Sequence, residues 1–144
     1  MSKEHEKLKK DVNTNGSKLI KEVVEILSMK SLANRFPYPI TAENVHVGYK
    51  NNVITVQGKQ DTLIHCKFVI SPTGITLIHH TLADKPLSDT RSKSLKSALD
   101  SVLGLFRFFD VTPFEIALES NQGSVALVAS TSQGRVAIVG SKGA

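Results

Sequence analysis

A chain of 144 residues, 40% of them hydrophobic, is long enough to bury a core of its own, and its single cysteine, Cys66, excludes an intramolecular disulfide. No apolar run approaches the roughly 20 residues of a membrane span, and the charged start lacks a signal peptide's apolar middle, so the chain reads as soluble and cytoplasmic, with no membrane partner. The 18 basic and 13 acidic residues leave a formal charge of +5, an excess that permits attraction to nucleic acid without naming a partner.

The opening SKEHEKLKKDV is mostly charged and runs into Asn13-Thr14-Asn15-Gly16, a turn-forming cluster, so that residues 1–16 read as a solvated tail or a short basic arm. Ser17 is placed to cap a helix whose Leu19, Ile20, Val23, Val24 and Leu27 share one face. That helix fades near Asn34, because Phe36-Pro37-Tyr38-Pro39 cannot continue it. From Asn44 the period becomes two. Val45, Val47 and Tyr49 alternate with His46, Gly48 and Lys50, then Asn51-Asn52 turns the chain into Val53-Ile54-Thr55-Val56, a β-hairpin. A second turn over 58–61 leads to a strand over 62–70, and Ser71-Pro72-Thr73-Gly74 reverses it into a strand over 75–81.

If Ile70 pairs with Ile75 across that turn, Phe68 faces Leu77, Cys66 faces His79 and His65 faces His80. Cys66 and His79 are then weak metal candidates, but strand alternation sends His65 and His80 to the other face, and a zinc site needs three or four converging ligands. No metal and no cofactor is expected. Residues 82–87 read as a short connection, with Ser88 or Thr90 capping the next helix.

Residues 90–109 form the longest amphipathic stretch. Leu95, Ala98, Leu99, Val102, Leu103, Phe106 and Phe109 fall on one stripe, with Lys93, Lys96 and Asp100 off it. Leu95, Leu99, Leu103 and Phe106 are the expected partner or dimer interface. The first turns hold Thr90, Arg91, Lys93 and Lys96, the unfavourable charge for a helix N-terminus, so they read either as a solvated polar face or as a phosphate-binding set. Gly104 inside this helix marks close approach of another backbone or early fraying. Beyond it, Phe114, Ile116 and Leu118 alternate with Glu115 and Glu119, and 120–123 turns the chain. Residues 125–129 are apolar on both faces, as in a strand covered on two sides, and 130–134 turns into a last strand over 135–139. The expected architecture is one α+β domain over 17–140, in the order α-β-β-β-β-α-β-β-β, with both helices packed on a mostly antiparallel sheet and a short tail over 141–144.

From about Phe68 onward the chain resembles the roadblock family of dynein light chains and small-GTPase regulators. FVISPTGITLIHH is similar to that family's strand, glycine turn and strand, the helix over 90–109 to its long helix, and FEIALESNQGSVALVASTSQGRVAIVG to its closing strands. The hairpin over 44–57 departs from the family's pattern, and a longin- or profilin-like variant stands beside it. The resemblance implies a noncatalytic scaffold that dimerises through its long helix and an adjoining strand, and binds a small GTPase or a larger assembly. Two functional readings follow. One is a homodimeric interaction module that also engages another protein; the alternative is a nucleic-acid-binding α+β domain using the basic helix start on phosphates. An enzyme is not expected, since the histidines lack an obvious nucleophile and acid partner.

Overall fold

A computed structural model of the chain describes residues 3–36, 38–59, 64–79, 82–121 and 124–141. Its elements in chain order are α1 (Lys3–Leu27), α2 (Lys30–Ala33), β1 (Val45–Lys50), β2 (Val53–Gly58), β3 (Cys66–Ser71), β4 (Gly74–His79), β5 (Leu82–Pro86), α3 (Asp89–Phe108), β6 (Glu115–Asn121), β7 (Ser124–Thr131) and β8 (Gly134–Ser141). The architecture is α+β, as expected. One open, antiparallel, eight-stranded sheet runs β5-β4-β3-β2-β1-β6-β7-β8. No helix among the described residues is long and apolar enough to cross a membrane.

Local chemistry sets the hairpins. Asn51 and Asn52 take φ of 51° and 63°, the left-handed values asparagine tolerates best after glycine, and so let β1 fold directly back on β2. Gly74 takes φ of 148° after Pro72-Thr73, and the Ser71 hydroxyl donates to the Gly74 carbonyl at 3.0 Å. The resulting register pairs Ile70 with Ile75, Phe68 with Leu77 and Cys66 with His79, as the sequence predicts. His80, the turn residues 60 and 61, the strand start at 62 and 63, Gln122, Gly123, Pro37 and the tail over 142–144 lie outside the described residues.

Both long helices lie on one side of the sheet. Helix α1 covers β6, β7 and β8, while α3 packs along α1 and reaches β4. The side chains of Val47, Val56, Leu118, Leu127, Phe68 and Leu77 point into this layer and are buried. On the opposite face the register lines up Ala137, Val128, Ala117, Gly48, Thr55, Lys67 and Ile78 across seven strands. Among the described residues, no helix covers that face. Residues 125–129 therefore alternate between buried and half-buried, and the expectation of a strand covered on both sides is corrected: among the described residues no second layer covers Ala126 and Val128.

Three further expectations are corrected. The tail expected over 1–16 is helical from Lys3, so Ser17 lies inside α1 and its hydroxyl contacts Asn13 at 3.5 Å. Burial of Val12 and the close seat of Gly16 on β6 and β7 override the turn preference of residues 13–16, since tertiary packing outweighs local propensity. The connection expected over 82–87 contains β5, which pairs with β4 after a register shift between Leu77 and His79. Phe114 precedes β6 and is exposed, so the inward alternation starts at Ile116.

Helix α3 begins where Ser88 takes an extended conformation and its hydroxyl accepts the Arg91 N–H at 3.3 Å. It ends in a Schellman motif: Asp110 takes φ of 54°, its N–H donates to the Arg107 carbonyl at 3.0 Å, and Val111 N–H donates to the Phe106 carbonyl at 2.9 Å. Phe109, the residue just before that reversal, is 38% exposed and lies outside the buried stripe.

Candidate functional site

The apolar stripe of α3 is consumed within the molecule. Leu95, Leu99 and Phe106 are buried in a single core cluster that includes Leu19, Val23 and Leu27 of α1, and Leu103 is half-buried against it. The four residues expected at a partner interface thus serve the contact between α3, α1 and the sheet. The reason is geometric: a stripe records that a helix face is hidden, and α1 is the element that hides it. Leu105, which the sequence left off the stripe, is buried as well.

The basic start of α3 is only partly available to a phosphate. Thr90, Lys93 and Lys96 are exposed, but Arg91 donates to Glu25 of α1 at 3.1 Å. The Arg91 N–H already has Ser88, and the Ser92 hydroxyl accepts the Ile75 N–H at 3.3 Å, tying the first turn to β4. Asp100 shares the surface of Lys93 and Lys96 and reduces its positive charge. On the open sheet face Lys50 lies 3.9 Å from Glu115 and His46 3.6 Å from Glu119.

Cys66 and His79 do meet across β3 and β4, both buried, and the His79 ring stacks edge-on against Phe36 at 5.0 Å. Among the described residues no group of three potential ligands forms around them, and His65 faces away, exposed. Burial pushes the Cys66 thiol from 9.0 up to about 12. It therefore stays protonated in the folded state when an unfolded chain would already be ionised, and its contribution to stability is lost as pH rises from about 9 towards 12. At pH 9 iodoacetamide is expected to label Cys66 slowly in the native protein and rapidly in urea. Equal rates in both would show that the thiol is not shut in the core.

Among the described residues the most exposed large apolar side chain, Phe108, lies at the far end of α3. Phe108 is 74% exposed and Phe109 38%, and their rings meet edge-to-face with centroids 4.9 Å apart. Beside them a groove of about 480 Å³ runs between α1 and α3, lined by Leu8, Asp11, Gly104, Leu105, Phe108 and Phe109 among others. A side chain built at Gly104 would meet nothing within 4 Å, so the expectation of a close backbone there is corrected, and unbroken helix through Phe108 excludes early fraying. Glycine inside a helix costs about 1 kcal/mol relative to alanine. Among the described residues no atom lies close enough to Gly104 to offset it. Sequence periodicity missed this surface because it assigned Phe109 to the core; the run FRFF was the one available signal.

The molecule is thus an α+β domain with a one-sided helix layer, an open sheet and an aromatic helix end beside a groove. No family model, curated protein or solved structure matches the chain.

Proposed function

We propose that this chain is a cytoplasmic protein-interaction module without catalytic chemistry of its own, a homodimeric scaffold or adaptor that presents the aromatic end of α3 to a second protein. The observation that carries this reading is the exposed Phe108 beside the groove that Gly104 leaves open. Adjoining phenylalanine rings left in water beside a groove mark an interaction surface, because their burial by a partner is favourable at roughly 25 cal/mol per Å². The roadblock resemblance adds a small GTPase or a larger assembly as the class of partner. The alternative, nucleic acid on the start of α3, is weakened by the pairing of Arg91 with Glu25.

The test is a benzoylphenylalanine photocrosslinker at position 108 of the full chain, expressed in its own cells. A discrete protein adduct that disappears in Gly104→Leu is expected, since leucine would fill the groove. Adducts to nucleic acid alone, or none above the level of a crosslinker at exposed Lys93, would overturn the reading. Gly104→Ala should raise stability by about 1 kcal/mol, because it removes the helix penalty without meeting any neighbour.

A further inference from the structure

The two edges of the sheet are built differently. At one edge β5 is short, ends in Pro86, which has no N–H to offer, and joins β4 through a register shift. Such features blunt an edge against further strands. At the other edge β8 runs for eight residues, Gly134–Ser141, in unbroken register with β7, without proline and with Arg135 as its one charged residue. Val139 is 57% exposed and Val136 38%. Among the described residues no strand lies beyond β8, so the outward half of its backbone N–H and C=O groups has no ladder partner. A long, apolar edge in unbroken register is a template for another strand.

We infer that β8 pairs antiparallel with β8 of a second copy, about a twofold axis perpendicular to the sheet that passes midway between the two Ile138 residues. This rests on the homodimeric part of the proposed function and assigns it a surface. An axis perpendicular to the sheet keeps each face continuous across the join, which requires a residue of one copy to stand opposite a residue of the same face in the other. Centred on Ile138, the pairing sets Val136 opposite Gly140, Ala137 opposite Val139 and Arg135 opposite Ser141, each occurring twice by symmetry. The fit is self-complementary on both faces. On the helix side, the exposed Val136 meets a glycine, and Ile138, already buried in the core cluster, meets its own copy, extending the apolar layer. On the open face, alanine meets valine, and the small-residue row from Gly48 to Ala137 continues into the second copy. Arg135 stands opposite an uncharged residue, so no like charges face each other. Both α1 helices, which lie over β8, come to the same side of the joined sheet.

This register makes a test by paired charges. In Ala137→Lys combined with Val139→Lys, each lysine stands opposite a lysine of the other copy; in Ala137→Glu combined with Val139→Lys, each stands opposite its complement. Both positions are exposed in the single chain, so either variant should fold, as circular dichroism would verify. By sedimentation of the full chain at micromolar concentration, the unaltered protein and the Glu/Lys variant should be dimers, and the Lys/Lys variant a monomer. A monomeric unaltered protein would overturn the inference. So would a Lys/Lys variant that remains dimeric, or a Glu/Lys variant as monomeric as Lys/Lys. None of these outcomes touches crosslinking at Phe108, so failure at β8 and failure of the aromatic surface are distinguishable.

Discussion

Replacing Phe106 by alanine is expected to lower the unfolding free energy by about 3–5 kcal/mol, while the same change at Phe108 costs less than about 0.5 kcal/mol. The two residues are a half-turn apart on α3, yet Phe106 is wholly buried and Phe108 is 74% exposed. The Phe106 carbonyl accepts from Phe109 and Val111, but those are backbone bonds that alanine keeps, so the loss reports side-chain packing alone. Small domains have only about 5–15 kcal/mol in total, and Phe106→Ala will unfold at much lower urea than the parent. Similar midpoints for the two variants would mean that the face of α3 turned to the core has been misassigned.

Gly16→Val is expected to cost about 1–3 kcal/mol, the range for forcing extra carbon into a packed site. A Cβ at position 16 would stand 2.7 Å from Cγ1 of Val125, with Cδ2 of Leu118 at 3.5 Å and Cδ2 of Leu127 at 3.7 Å. Helix propensity pulls the other way by only a few tenths of a kcal/mol for valine, so the clash decides the sign. The contrast with Gly104 is direct. One glycine lets α1 sit close to the sheet, and the other leaves a groove. Urea midpoints should therefore fall for Gly16→Val and rise for Gly104→Ala; a rise in both would detach the first half of α1 from β6 and β7.

These two positions also show what was legible in the sequence. Alternation and turn chemistry read the hairpins well, because Asn51-Asn52 and Pro72-Thr73-Gly74 act locally and leave little choice of register. The span of α3 was equally plain from its periodicity, within one residue at each end. What failed was anything that depended on the identity of a neighbour. Asn13-Thr14-Asn15-Gly16 breaks helices in isolation, and only contact with β7 makes its glycine an asset. Leu95, Leu99 and Phe106 look the same whether a second copy hides them or α1 does, and only the packing shows that they belong to the core of the single chain. The aromatic groove is hidden by the same ambiguity in reverse, since an exposed phenylalanine at helical spacing is indistinguishable from a buried one until the packing at the helix end is known. The difference between the β5 and β8 edges emerges only with the strand order.

The most direct measurement is residue-resolved amide hydrogen exchange along β8 as a function of protein concentration. A strand paired on one side protects every second amide, whereas a strand paired on both sides protects them all. Edge-to-edge assembly predicts slow exchange at consecutive residues from Arg135 to Val139, with alternate sites speeding up on dilution. Protection at alternate residues only, unchanged from micromolar to millimolar protein, would contradict it.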